Sequence, residues 1–294
     1  MPHQLNWREI CQMIPKRKAD AQKGDFGRLL CITGSRNMPG ACLLSTQAAL
    51  RGGAGLVTVA TAPENPMRLA AAAPEAMWLP LETDEAGFLR SSDQNRKTLE
   101  KQLSRANAVL LGCGLGVTEE TRRLVHWVLE QAVCPVVLDA DGLNCAVSCI
   151  ELSRRTGKDW ILTPHPGEMA RLTGRSIPQI QENRVETATQ FAAAYPVTLA
   201  LKGAGTLVAQ GSRLAQNPTG NPGMSRGGSG DVLAGLIAAF AAQGIPSWEA
   251  ACAGVYLHGL AGDAAAAALS QQAMLPRDLL VYLPQVLVKL EQER

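Results

Sequence analysis

The sequence predicts an α/β fold in which a mostly parallel central sheet is covered by helices on both faces. Three observations carry this expectation. Short aliphatic runs are apolar at nearly every position, as strands buried on both sides must be. Helical segments fall between most of these runs. Gly, acidic, His and Lys residues follow one run after another, as they do where loops gather at the carboxyl ends of parallel strands.

Residues 1–27 read as an arm (1–22) and a loop, with one short amphipathic turn around Trp7 to Met13. The runs RLLCIT (28–33), LVTVAT (56–61), AVLLG (108–112), PVVLD (135–139), WILT (160–163), VTLALK (197–202) and TLVAQ (206–210) are the expected strands. Helical patterning covers 41–51, 95–105, 119–131 and 178–194. A further helix over 231–243 has Val232, Leu233, Leu236, Ile237 and Phe240 on one face and stops at Gly244, with Pro246 beyond. The helix from Ser247 to Leu269 is rich in Ala and Gly, which permits close packing inside the subunit or against another. The last helix begins near Pro276, with a kink expected at Pro284. No linker, repeat or composition break divides the chain, so one domain over 1–294 is expected.

The chain has 294 residues, is 46% hydrophobic and carries a formal net charge of +2. That balance gives no reason to expect nucleic acid or an anionic membrane as partner. Aromatic residues at 4% also argue against base-stacking surfaces. Eight cysteines are scattered through apolar runs without a CxxC pair, which reads as reduced buried thiols and a cytoplasmic setting. The basic N-terminus lacks the apolar core of a signal peptide, and the apolar stretches are too short to span a bilayer.

The densest feature is NPTGNPGMSRGGSGD, Asn217 to Asp231. Glycines at 220, 223, 227, 228 and 230 free the backbone to approach a ligand. Such a loop entering a buried helix makes an anion nest at Gly227, Gly228, Ser229 and Gly230, because free N–H groups and the helix dipole point outward. Asp231 follows as a fixed carboxylate, whose placement there suggests mechanism more than capping. Gly112-x-Gly114-x-Gly116 serves equally as a tight turn or a ligand contact. Asp139 and Asp141 stand evenly between capping or surface acids and a phosphate or metal role. His165, between two prolines on a rigid loop, reads as functional, whereas His258 in an apolar helix reads as core. Lys202 opens KGAGT, which offers a cation and free N–H groups, although a solvated strand end is the plainer option. No GxxxxGK[ST] exists, and no GxGxxG follows the first strand, so P-loop and Rossmann readings fail.

Together, KGDFG (23–27), PGA (39–41), AALRGGAGLVTVAT (48–61), LGCGLG (111–116), LDADGLN (138–144), TPHPGE (163–168), KGAGT (202–206) and NPGMSRGGSGDVLAG (221–235) resemble the ADP-dependent NAD(P)H-hydrate dehydratases. These enzymes have the ribokinase-like fold, a three-layer α/β/α sandwich. The resemblance implies a lyase of metabolite repair that restores NAD(P)H from hydrated NADH or NADPH. ADP is the implied phosphoryl donor, giving AMP and phosphate, with Mg²⁺ as cofactor. It further implies that Ala41, Gly114, His165 and Asp231 contact the hydrated dinucleotide, with Asp231 as catalytic base. Lys202, Gly203, Ala204, Gly205, Thr206 and Gly230 would contact the adenine nucleotide, and Glu168 would organise magnesium through water. Homo-oligomers, tetramers among them, are common in the family. Two positions depart from it: Gln22 stands where His is frequent, and Arg226 where a small residue is usual. No fused epimerase domain is expected, since nothing before residue 20 could form one. A small-molecule kinase of the same fold, acting on a sugar or vitamin-precursor alcohol, is the alternative; a catalytically dead nucleotide-binding protein is a third.

Overall fold

A computed structural model describes residues 2–156 and 159–293. Ten strands form one sheet: β1 (His3–Gln4), β2 (Arg28–Ile32), β3 (Leu56–Thr61), β4 (Met77–Pro80), β5 (Ala108–Leu111), β6 (Val136–Leu138), β7 (Trp160–Leu162), β8 (Val197–Leu201), β9 (Leu207–Gln210) and β10 (Arg213–Gln216). Their order is β1-β10-β9-β8-β7-β6-β5-β2-β3-β4. Only β9 runs against the rest, pairing antiparallel with β8 and β10. The expected parallel sheet therefore holds, with a hairpin turning at Gly211 and Ser212 near one edge.

Strand alternation splits the core in two. Leu29, Cys31, Val57, Val59, Leu110, Val137 and Ile161 face one side, and Leu30, Ile32, Val109, Leu111, Val136, Leu138 and Leu162 the other. The first side packs against α1 (Trp7–Met13), α2 (Pro39–Arg51) and α3 (Asn65–Leu69). The second is covered by α4 (Asp93–Leu103), α5 (Glu119–Gln131), α6 (Asp141–Ala146), α7 (Leu152–Thr156), α8 (Pro166–Thr173), α9 (Ile177–Glu182) and α10 (Arg184–Ala194). The chain then returns to the first side as α11 (Ser229–Ala242), α12 (Ser247–Leu269) and α13 (Pro276–Gln292). This is the α/β/α sandwich that the alternation predicts.

Several elements differ from the sequence expectation. The helix expected over 178–194 is two, broken at Asn183, whose φ of −125° and ψ of 44° lie outside the helical region. α11 is buried almost all round, not on one face: the small residues among Ala234, Gly235, Ala238, Ala239, Ala241 and Ala242 are covered as fully as the large ones. The edge strands β1 and β4, and β10 beside β1, are too short or too exposed to give an apolar run. Among the described residues, no helix is long and apolar enough to cross a membrane.

KGDFG lies at the far rim, where its glycines fit backbone against backbone. A Cβ on Gly27 would stand 1.7 Å from the Ala242 carbonyl oxygen, and one on Gly55 1.9 Å from that of Lys23. At Gln22, the backbone N–H donates to Asp25 Oδ2 at 2.7 Å, so this departure caps a turn remote from the strand ends that carry the polar loops.

Candidate active site

At the carboxyl ends of β6, β7 and β8 a cleft of about 760 Å³ opens, lined by Asp139, His165, Glu168, Lys202 to Thr206, the 217–231 loop and His258. The loop is fastened to α12. Asn217 Nδ2 donates to the Val255 carbonyl at 3.1 Å, Thr219 Oγ1 to that of Tyr256 at 2.9 Å, and Asp263 accepts from Gly220 N and Asn221 Nδ2. Small residues on α12 admit it, since a Cβ on Gly259 would meet Thr219 Oγ1 at 2.1 Å. The Ala/Gly-rich helix thus packs within its own chain.

The loop ends by turning into α11. Gly228, at φ 106°, is the N-cap, a left-handed conformation that other residues rarely adopt. No side chain caps this helix. Val232 N is the first to reach back a full turn, to Gly228 O at 3.2 Å. The N–H groups of Gly228, Gly230 and Asp231 are left without a backbone acceptor among the described residues, and the buried Ser229 hydroxyl also lacks a partner. This is a donor cluster at a positive helix end, suited to an anion. His258 steadies it from behind. Burial pushes its pKa down to about 4, so the neutral ring donates from Nε2 to the Ser229 carbonyl at 3.0 Å. The core reading of His258 stands, although the residue also lines the cleft.

Asp231 is the third residue of α11 and does not cap it. Burial first, and then the neighbouring Asp139 carboxylate, raise its pKa to about 7. Ligand atoms of Cys113, Asp139 and Asp231 all lie within 4.8 Å of one another. The Cys113 thiol, held protonated by burial, lies 3.9 Å from Asp139 Oδ2.

Asp139 is neither a helix N-cap nor a surface acid. It is 1% exposed, and its Oδ1 accepts from Lys202 Nζ at 2.6 Å and Thr163 Oγ1 at 2.7 Å. Lys202 Nζ also lies 3.7 Å from Glu168 Oε2. Burial alone would lower the lysine pKa, but the two carboxylates outweigh it and the ammonium is retained. Lys202 is therefore no solvated strand end. Asp141 is structural: its Oδ2 accepts from Gly116 N at 2.7 Å and ties the GxGxG loop to α6. Between these acids Ala140 adopts φ 51° and ψ −118°, a conformation costing about 1–3 kcal/mol in a non-glycine residue.

His165 lies in the loop after β7, as expected, and is the N-cap of α8. Its Nδ1 accepts from Gly167 N at 2.9 Å and Glu168 N at 3.3 Å, and Glu168 Oε2 accepts from His165 N at 2.8 Å. With Nδ1 an acceptor, the proton of the neutral ring sits on Nε2; burial and the Lys202 charge lower its pKa and keep it neutral. Burial raises the Glu168 pKa against the pull of Lys202. A Cβ on Gly230 would stand 3.3 Å from Lys202 Nζ, so the nest and the charge cluster adjoin.

Ala41 and Gly114 meet each other, since a Cβ on Gly114 would lie 2.9 Å from Ala41 Cβ. They are not among the residues lining this cleft, and Cys113 connects Gly114 to the aspartates. Arg226 is exposed at the cleft, and its guanidinium donates to the Gln272 carbonyl. The pairing of Asp139 with Lys202 and the thiol of Cys113 escaped the sequence reading. The one available signal was a charged residue ending each of two apolar strands.

Comparison with known proteins is consistent with this architecture. The family model described as NAD(P)H-hydrate dehydratase matches residues 29–285. A bifunctional NAD(P)H-hydrate repair enzyme of Moorella thermoacetica is 43% identical over 281 residues, covering 95% of this chain and 53% of that enzyme. The chain thus spans about half the length of such bifunctional relatives. An ADP-dependent (S)-NAD(P)H-hydrate dehydratase of Xanthomonas campestris is 36% identical, with 95% of this chain and 93% of that enzyme covered. The crystal structure of an ADP/ATP-dependent NAD(P)H-hydrate dehydratase from Bacillus subtilis superposes with a TM-score of 0.83 at 30% identity, covering 99% of each chain. A family model that matches residues 29–285 and a relative 36% identical over nearly the whole of both chains leave one assignment: the chain belongs to the NAD(P)H-hydrate dehydratase family.

Proposed function

We propose that this protein dehydrates hydrated NADH or NADPH back to NAD(P)H, consuming ADP and releasing AMP and phosphate. The observation that carries the reading is the Asp231 carboxylate set beside the unpaired amides at the start of α11. Hydroxide is a poor leaving group at neutral pH, and a phosphate ester is a good one. The ring hydroxyl attacks the terminal phosphorus of ADP, a new O–P bond forms, and the bridging P–O bond breaks to release AMP. Asp231 accepts the hydroxyl proton, as its pKa near 7 suits a base at neutral pH. The ring nitrogen lone pair then expels phosphate as the C–O bond breaks, and loss of a proton from the adjacent ring carbon restores the dihydropyridine.

In this reading Gly227, Gly228, Ser229 and Gly230 hold the transferring phosphoryl group, with Ser229 supplying its unpartnered hydroxyl. Lys202 to Thr206 hold the adenine nucleotide. His165 and Asp231, with Ala41 and Gly114 beyond Cys113, face the hydrated dinucleotide. Magnesium suits the donors present, because the carboxylate oxygens of Glu168 and Asp139 are hard ligands beside the nest. Glu168 Oε2 already accepts from His165 N, which favours a contact through water. When bound, the ion would neutralise charge on the phosphates. We take the chain as one folding unit, cytoplasmic and self-associating. Exposed Val281 and Val288, seven residues apart on α13, support association, which light scattering of the purified protein checks.

The deciding experiment follows absorbance at 340 nm. Hydrated cofactor with ADP should regain it, with AMP appearing in equal amount, and ATP in place of ADP tests the donor. A phosphorylated sugar or vitamin-precursor alcohol without recovery at 340 nm would replace this reading with the kinase one.

A further inference from the structure

Arg184 is the first residue of α10, brought there by the break at Asn183. A cation at a helix N-terminus meets the positive end of the dipole, so the position is electrostatically unfavourable for its own helix. Its guanidinium turns instead onto the loop after β8. One terminal nitrogen donates to the Lys202 carbonyl at 3.2 Å, and the other to those of Leu201 at 3.2 Å and Gly205 at 3.4 Å. Among the described residues no carboxylate pairs with it in a salt bridge. The contact is close: Gly203 has φ 142°, and a Cβ there would stand 2.1 Å from the guanidinium. With those carbonyls turned onto Arg184, the N–H groups of Gly203, Ala204 and Gly205 have no backbone acceptor among the described residues, and all three residues line the cleft.

We propose that Arg184 is a positioning residue for the adenine nucleotide: it draws the carbonyls of the 201–205 turn to one side and leaves that turn's amides for the ligand. The assignment rests on the reading above, in which Lys202 to Thr206 hold the nucleotide. A planar fork serves three carbonyls at once, whereas a lysine ammonium on a flexible stem holds such a turn less well.

The test is ADP binding by calorimetry to the wild type, Arg184→Met and Arg184→Lys, with folding checked by circular dichroism. Hydrogen bonds from a charged group contribute enough for Arg184→Met to raise the ADP Kd about 10–100-fold. Arg184→Lys should recover part of that loss. In turnover the ADP KM should rise while kcat and the KM for hydrated cofactor stay within about twofold. Should Arg184→Met fail to fold, Arg184→Lys carries the same comparison. A folded variant with wild-type ADP affinity, or a fall in kcat at unchanged KM, overturns the assignment. If the wild type itself binds no ADP, the functional reading falls and takes the assignment with it.

Discussion

The carboxylate of Asp231 can take a proton only when ionised, and its surroundings set where that happens. With its pKa raised to about 7, turnover should fall as pH drops through that value, with the slope of a single proton. A pH–rate profile flat between 5 and 8 would remove Asp231 from the role of base. Asp231→Asn should lower kcat about 10²–10⁴-fold and leave ADP affinity nearly unchanged. Stability should move the opposite way. The folded state keeps a proton that the unfolded chain releases near pH 4, so stability declines as pH rises from there through 7. Asp231→Asn escapes this penalty and should be more stable than the wild type at pH 8, by on the order of 3 kcal/mol, but not at pH 4. Urea unfolding at the two pH values measures it. At this scale the sequence was legible where chemistry is local: a carboxylate after a glycine nest announces itself. It was silent on the pairing of Asp139 with Lys202, because that contact joins residues 63 positions apart at the ends of β6 and β8, which only the order of the sheet, with β7 between them, brings together.

Elements were legible wherever burial imposed a period. The inner strands β2, β3, β5 to β8, and α5 follow apolar runs and helical spacing that survive translation into structure. Short helices such as α6 and α8 did not, because each winds directly out of a strand-end loop; α8 is held there by the reciprocal capping of His165 and Glu168. A close helix–helix contact joins α2 and α11. A Cβ on Gly235 would lie 2.2 Å from the Ser45 carbonyl oxygen and 2.9 Å from Ala48 Cβ. Gly235→Ala should therefore force the helices apart and destabilise the fold by about 1–3 kcal/mol. Thermal melting should show this loss, whereas helix propensity alone would predict a gain.

For the molecule as a whole, both cores share one sheet, so a single cooperative unfolding transition is expected for the chain. The order of strands was not legible: β2 lies between β3 and β5, and β1 joins β10 at the far edge, pairings with no trace in composition. Asp231 sits on the opening turn of α11, whose residues from Val232 to Ala242 are all shielded from water. Such a segment cannot breathe by itself, because every partial opening would strip contacts from α2, α12 and the sheet together. In deuterated buffer the amides from Leu236 to Phe240 should be the last to exchange, at the rate of global unfolding. Ligand entry and product escape should then rely on what surrounds Asp231, while the helix behind it holds its place.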